Sequence, residues 1–133
     1  HAVLPGMVER NRGHIVNVAS DAARVGSSGE AVYAACKGGL VAFTKTLARE
    51  HSRHNITLNV VCPGPTDTAL LAGVAEGAAN PEKLIEAFTK AIPLGRLGQG
   101  DDLASAIAFF GSQDASFITG QVLSVSGGLT MNG

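Results

Sequence analysis

The stretch IVNVASDAARVGSSGEAVYAACK at residues 15–37 contains an apolar run that ends at Ser20 and the pentapeptide Tyr33-Ala-Ala-Cys-Lys37. Residues 14–19 are predicted to form a buried strand, so the Ser20 hydroxyl would lie at the carboxyl end of that strand, where open α/β sheets bind ligands. The apolar spacing of residues 31–50 predicts a long amphipathic helix. On that helix Tyr33 and Lys37 would share one face, separated by about 6 Å of helix rise.

This spacing brings a phenol and an ammonium to one place. An ammonium beside a phenol favours the phenolate, so Lys37 is expected to lower the pKa of Tyr33 from its reference of about 10 and make it a candidate acid/base. The Ser20 hydroxyl can donate to a substrate carbonyl oxygen as charge develops on it. The alternative is an ordinary Tyr-x-x-x-Lys pair on a helix surface. The serine upstream and a Pro63-Gly64 turn downstream favour the chemical interpretation.

Together these motifs resemble the short-chain dehydrogenase/reductase family, and the resemblance extends from His1 to Gly133. It includes the motif PGPTDTALL at residues 63–71 and the closing GGLTMNG. The resemblance implies an α/β fold, the C-terminal half of a Rossmann-type, doubly wound and mostly parallel sheet. It also implies a catalytic set of Ser20, Tyr33 and Lys37 beside a nicotinamide dinucleotide, with NAD as the expected cofactor and NADP as the alternative.

A second strand, predicted at residues 56–61, leads into the Pro63-Gly64 turn. A glycine beside proline has little side-chain bulk, which lets backbone approach a flat ring closely. The alternative for the residues after this turn is structural, with Asp67 or Thr68 capping the next helix, and both roles are compatible. The resemblance assigns six cofactor-binding residues: Tyr33, Lys37, Pro63, Gly64, Thr66 and Thr68.

The glycine-rich turn with which the family binds pyrophosphate does not occur in these 133 residues. The resemblance places it upstream of His1, together with the residue that selects NAD or NADP and an asparagine of the proton relay. We therefore expect the chain to be the catalytic and substrate-lid part of a single NAD(P)-binding domain. The absence of an initiator methionine agrees with such a fragment, which we expect to be inactive alone.

The resemblance implies the oxidation of a secondary alcohol or the reduction of a ketone. The expected substrate is a small molecule, a hydroxyacyl-CoA similar to 2-hydroxycyclohexanecarboxyl-CoA. Residues 69–92 are predicted to form two short helices with a break near Asn80-Pro81, and they match the family's variable substrate lid. Two alternatives remain, reduction of 3-oxoacyl carrier protein and a non-catalytic structural role. By family analogy we also expect a homo-oligomer, a tetramer.

Composition argues against several other classes of protein. A net charge of −1 with scattered basic residues disfavours nucleic-acid binding. The apolar stretches are shorter than the roughly 18 residues of a membrane span, and a cytoplasmic protein is expected. Cys36 and Cys62 lack the spacing of a zinc site and are expected to be small buried hydrophobes. His51 and His54 are expected to complement the helix dipole and not to bind metal.

Three local predictions concern the backbone. Gly13 is expected in the left-handed conformation that ends a first helix. Gly38 and Gly39 lie within the long helix, where each glycine costs about 1 kcal/mol, so close approach of a neighbour is expected there. Residues 21–30 are predicted to be a loop bordering the active site.

Overall fold

The computed structural model describes residues 2–131. His1, Asn132 and Gly133, which belong to the stretches that resemble the family, lie outside them. The helices are α1 (Leu4–Glu9), α2 (Ala22–Val25), α3 (Ala31–His51), α4 (Ala69–Glu76), α5 (Pro81–Ala91) and α6 (Gly100–Phe110). The strands are β1 (Gly13–Val18), β2 (Ile56–Pro63) and β3 (Val122–Val125), and single 3₁₀ turns occur at Ser52–His54 and Gln113–Ala115.

Within residues 2–131 the strands form one parallel sheet in the order β1-β2-β3. Strand β1 pairs with β2 starting from Gly13 opposite Ile56. Strand β2 pairs with β3 up to Pro63 opposite Val125. Parallel neighbours require crossover connections, which α3 provides between β1 and β2 and the segment containing α4, α5 and α6 provides between β2 and β3. The prediction of an α/β fold with a parallel sheet is confirmed.

The central strand β2 has its apolar side chains covered on both faces. Successive side chains of a strand point to opposite faces, so Val60 and Val61 enter different clusters. Val60 packs with Ala19 and Leu40 on the α3 side. Val61 packs with Leu103 and Phe110 of α6 on the other side. Helices therefore lie on both faces of the sheet, as in doubly wound folds.

Strand β1 differs from the prediction of a buried strand. It is half-buried, and Val18 is 42% exposed, because β1 is at one end of the described sheet and pairs with β2 alone. The polar Asn17 in this strand donates from Nδ2 to Thr44 Oγ1 at 2.9 Å. Thr44 in turn donates to Leu40 O at 2.7 Å, so the Asn17 amide has a structural partner on α3.

The prediction for Gly13 is wrong. The left-handed residue after α1 is Asn11, with φ 52°, and Gly13 is the first residue of β1. A Cβ at Gly13 would lie 2.7 Å from Met7 Cγ, so a larger residue here would displace the Met7 side chain of α1.

Within residues 2–131 no neighbouring element approaches the two glycines of α3 closely, and approach by a cofactor or a partner helix stays a prediction. A Cβ at Gly38 would make only ordinary contact with Ala23 O at 3.9 Å, and one at Gly39 would meet no described atom within 4 Å. The predicted loop at residues 21–30 contains the short helix α2, which packs against α3.

The predicted lid segment forms two helices with a break, as expected. Asn80 caps α5 by accepting a hydrogen bond from Lys83 N at 2.9 Å. The next segment is anchored by Arg96, whose two terminal nitrogens donate to the two oxygens of Asp102 at 2.7 and 2.9 Å. The Arg96 hydrogen bond, followed by one from the Gln99 amide, lowers the pKa of Asp102 to about 2. None of the helices in residues 2–131 is long and apolar enough to cross a membrane.

Candidate active site

Ser20 lies just beyond the end of β1, at the carboxyl edge of the sheet. Parallel pairing with β2 continues on both sides of it, because Ala19 N donates to Val61 O at 2.9 Å and Asp21 N donates to Pro63 O at 3.0 Å. The Ser20 Oγ accepts a hydrogen bond from Ala22 N at 3.2 Å. This bond uses the oxygen as an acceptor and leaves the hydroxyl hydrogen available to a ligand.

Tyr33 and Lys37 lie in the first two turns of α3. Tyr33 is 37% exposed. The Lys37 Nζ is 5.7 Å from the centroid of the Tyr33 ring and donates to Val18 O at 3.0 Å. Lys37 therefore joins the tyrosine to the end of the strand that leads to Ser20. The structure brings Tyr33 and Lys37 together as the spacing predicted.

Two glycines shape the connection between Ser20 and Tyr33. Gly26 has φ 78° and Gly29 has φ 82°, in the region that side chains other than glycine rarely adopt. They separate α2 from α3, and the chain then enters α3 at Ala31. The glycines that predicted a loop thus permit a compact turn between Ser20 and Tyr33.

The Pro63-Gly64 turn is held against the end of β3. Gly64 N donates to Val125 O at 3.1 Å. A Cβ at Gly64 would lie 2.7 Å from Ser126 Cβ and 3.0 Å from Ser126 Cα. Glycine is therefore required here by the neighbouring backbone, a reason that is not visible in the sequence because residues 64 and 126 meet only in the folded sheet. The approach of Gly64 to a cofactor ring stays a prediction.

The two threonines after this turn have structural partners. Thr66 Oγ1 donates to Gly64 O at 2.9 Å, which closes the turn on itself. Thr68 caps α4, because its Oγ1 accepts a hydrogen bond from Leu71 N at 3.3 Å. The capping alternative is confirmed for Thr68, and the cofactor contacts of both residues stay predictions.

The cysteines and histidines are not part of this constellation. Cys62 is buried, and burial raises the pKa of its thiol while the Ser20 amide partly opposes that effect. The prediction of a buried cysteine therefore holds for Cys62. It is wrong for Cys36, which is exposed on α3. The rings of His51 and His54 have centroids 6.4 Å apart. In residues 2–131 no three His, Cys, Asp or Glu side chains form a group that could hold a metal ion.

A groove along α5 is separate from the predicted site residues. Its volume is about 600 Å³, and its wall is mostly apolar and comes from α5 alone. The residues that line it are Pro81, Glu82, Ile85, Glu86, Thr89 and Lys90. The groove therefore belongs to the predicted lid segment.

Comparison with known proteins identifies the family of this chain. The family model described as enoyl-(acyl carrier protein) reductase matches residues 1–130. The chain belongs to the short-chain dehydrogenase/reductase family.

Several curated proteins are similar to this chain over most of its length. It is 41% identical over 130 residues to 3-oxoacyl-[acyl-carrier-protein] reductase FabG of Vibrio cholerae, covering 98% of this chain and 51% of that protein. It is 41% identical over 128 residues to 2,3-dihydroxy-2,3-dihydro-p-cumate dehydrogenase of Pseudomonas putida, covering 96% and 48%. It is 40% identical over 128 residues to acetoacetyl-CoA reductase of Shinella zoogloeoides, covering 96% and 51%. The chain thus spans about half the length of the curated relatives it matches.

Proposed function

We propose that the full-length protein is a cytoplasmic, NAD(P)-dependent oxidoreductase that interconverts a secondary alcohol and a ketone on an acyl thioester. The observation that carries this proposal is the position of Lys37. Its ammonium lies 3.0 Å from Val18 O and 5.7 Å from the centroid of the Tyr33 ring. A phenol and an ammonium are thereby held at the strand end that leads to Ser20.

The residues around Lys37 fit the nicotinamide riboside end of NAD(P). An ammonium has three N–H donors, and the bond to Val18 O uses one, so two remain for ribose hydroxyls. Tyr33 is 37% exposed and can be reached by a ligand. NAD is the cofactor we propose, with NADP as the alternative. The full set of proposed cofactor-binding residues is Tyr33, Lys37, Pro63, Gly64, Thr66 and Thr68.

The nicotinamide, when bound, supplies or accepts the hydride. In the direction of reduction, the Tyr33 hydroxyl donates its proton to the substrate carbonyl oxygen. The Ser20 hydroxyl donates a hydrogen bond to the same oxygen and stabilises the charge that develops there. The Lys37 ammonium stabilises the tyrosinate that remains. In the direction of oxidation Tyr33 removes the hydroxyl proton, and the same contacts operate in reverse.

An acyl thioester is supported by two kinds of resemblance. Two of the similar proteins are named for reduction of a 3-oxoacyl thioester, one on acyl carrier protein and one on CoA. Residues 20–37 and 63–71 resemble 2-hydroxycyclohexanecarboxyl-CoA dehydrogenase, whose substrate is a hydroxyacyl-CoA. The dehydrogenase from Pseudomonas putida is named for a ring diol without a thioester, which makes a cyclic diol the second candidate substrate.

We expect the full-length protein to prefer thioesters over matched free acids by at least about tenfold in kcat/KM. Contacts to the remote thioester carrier can be used to stabilise the transition state, and a free acid lacks them. The measurement is steady-state kinetics with acetoacetyl-CoA, 2-hydroxycyclohexanecarboxyl-CoA, 3-oxoacyl carrier protein, the corresponding free acids and a cyclic cis-diol. Equal values for thioester and acid, or a preference for the diol, would contradict the thioester assignment.

A homo-oligomer, which we propose to be a tetramer, is supported by one face of α3. Val32 is 79% exposed and Phe43 is 56% exposed, and Cys36 and Gly39 between them are also exposed. Their spacing of three and four residues places these side chains on one helical face. A contiguous exposed apolar face of this kind marks an interaction surface. A second copy of the protein is the partner that the family resemblance implies.

We expect Phe43→Glu to lower the solution mass of the full-length protein toward that of a monomer, because a carboxylate within an apolar contact would be buried without a partner. Light scattering after size exclusion measures the mass. Lys45→Glu is the matched control, since it places a carboxylate on an exposed position of the same helix away from this face. A wild-type monomer, or an unchanged mass for Phe43→Glu, would contradict the proposal.

A further inference from the structure

Asp21, the residue after Ser20, has an unusual environment. It is 6% exposed although it carries a carboxylate. Asp21 occupies the N-cap position of α2, where aspartate normally accepts a hydrogen bond from the helix backbone. Its side chain makes no such bond. Instead, Asp21 Oδ1 accepts a short hydrogen bond from the hydroxyl of Ser124 in β3.

Arg24 completes a chain of donors that ends at this carboxylate. Its Nη1 donates to Ser124 Oγ at 2.7 Å, and the Ser124 hydroxyl donates to Asp21. The positive charge of Arg24 thus reaches the negative charge of Asp21 through one hydroxyl group. The backbone of Asp21 also donates to Pro63 O at 3.0 Å. Asp21 is therefore attached to the ends of β2 and β3 as well as to its own strand, β1.

The second oxygen of this carboxylate differs from the first. Asp21 Oδ2 is buried and accepts no hydrogen bond from residues 2–131. It lies 3.7 Å from the position that a Cβ on Gly64 would take. A buried charged oxygen without a full set of hydrogen bonds costs stability. Sites that keep such a group in spite of its cost are expected to be functional ones.

Ser20 is the functional group closest in sequence to Asp21. Its side chain is oriented by a local bond from Ala22 N, so its position in the sheet depends on the residues on either side. Ala19 and Asp21 attach it to β2, and the Asp21 side chain adds the attachment to β3. Release of that side chain would leave the turn from Ser20 to Ala22 free to shift relative to Lys37 on α3.

We propose that Asp21, held by Ser124 and Arg24, is a positioning residue that keeps the Ser20 hydroxyl aligned with Tyr33. The inference rests on the proposed function, because it assigns a role in the same reaction. A misplacement of about 1 Å in a reacting group can cost about 10²-fold in rate, so a partial shift of Ser20 is expected to lower kcat by about tenfold. The cofactor should bind normally, because the Lys37 contact to Val18 O does not involve Asp21.

The test compares four variants of the full-length protein: Asp21→Ala, Asp21→Asn, Ser124→Ala and the double variant Asp21→Ala/Ser124→Ala. We expect the two single alanine variants and the double variant to share the same loss in kcat, since each breaks the same chain. Asp21→Asn keeps an oxygen that can accept from Ser124 and should stay within about threefold of the wild type. The KM for the cofactor should be unchanged in all four.

Thr57→Val is the matched control for the loss of a buried hydroxyl. Thr57 is 5% exposed, and its Oγ1 lies 2.8 Å from His14 Nδ1 near the opposite end of β2. The Thr57→Val variant should have a lower melting temperature and an unchanged kcat. If Asp21→Ala does not fold, the kcat of Ser124→Ala is compared with the kcat values of Asp21→Asn and Thr57→Val. This comparison tests the same positioning role.

Several outcomes would overturn the inference. Wild-type kcat in Asp21→Ala or Ser124→Ala would do so, as would losses that add in the double variant. A loss of kcat in Asp21→Ala that also occurs in Asp21→Asn would assign Asp21 a structural role. A loss of kcat that accompanies a lower melting temperature in Thr57→Val as well would do the same. In each of these cases the wild type stays active, so the proposed function is unaffected. A wild type inactive on thioesters and alcohols alike would overturn both.

Discussion

Replacement of Tyr33 by phenylalanine in the full-length protein is expected to lower kcat by about 10²–10⁴. The change keeps the aromatic ring beside Lys37 and removes the hydroxyl that exchanges a proton with the substrate. Tyr33 is the one tyrosine of the 133 residues, so no neighbouring tyrosine of this chain can replace it. Steady-state kinetics with the best thioester measures kcat, and fluorescence titration with NADH or NADPH measures cofactor affinity, which should change little.

Ser28→Ala serves as the control for Tyr33→Phe. Ser28 is an exposed hydroxyl in the turn between α2 and α3, and its loss should leave kcat unchanged. More than a tenth of the wild-type kcat in Tyr33→Phe would show that Tyr33 is not the acid/base. A melting temperature close to that of the wild type would exclude unfolding as the cause of a loss.

Lys37→Met is expected to have a double effect, with cofactor affinity lowered at least about tenfold and kcat lowered as well. Methionine has a similar length but provides neither charge nor donors. The variant loses the bond to Val18 O and the proposed bonds to the ribose. Hydrogen bonds from a charged group contribute about 1.5–3 kcal/mol each, and about 1.4 kcal/mol is a tenfold change in affinity. Titration with the reduced cofactor and steady-state kinetics separate the two effects.

The control for Lys37→Met is Lys45→Met, which removes an exposed ammonium from the same helix. It should change neither cofactor affinity nor kcat. Unchanged cofactor affinity in Lys37→Met would contradict the proposed ribose contacts but not the stabilisation of the Tyr33 phenolate. Unchanged kcat would contradict that stabilisation instead.

The placement of the tyrosine and lysine could be predicted because it depends on one helix. Their spacing of four residues places them on one face whatever else the chain does, and α3 from Ala31 to His51 agrees closely with the predicted range. The strand predicted at residues 56–61 agrees with β2 (Ile56–Pro63) for a similar reason, because a short, mostly apolar segment before a Pro-Gly turn is typical of a strand. Its burial on both faces became visible only in the folded sheet.

The local sequence pattern is less informative about a residue whose environment depends on residues far away in the sequence. The turn at Gly64 predicts a glycine from local bulk alone, but the backbone of Ser126 also leaves no room for a side chain there. The sequence around Gly13 predicts a helix end, whereas the folded chain places Gly13 in β1 against the Met7 side chain. Cys36 was expected to be buried because cysteine usually is, whereas its face of α3 has no covering element in the part of the chain described by the structure.

The sequence by itself determined the strand that ends before Ser20, the long helix that carries Tyr33 and Lys37, and the strand that leads to the Pro63-Gly64 turn. These properties depend on periodicity and spacing, which are local, whereas the family followed from the resemblance of the motifs. Tertiary structure alone decided that Ser124, 103 residues beyond Asp21, donates to its carboxylate and that Arg24 supports the pair. Such contacts depend on the order of strands in the sheet and on which face of each strand meets a neighbour, because only the folded sheet places β3 beside the turn that follows β1.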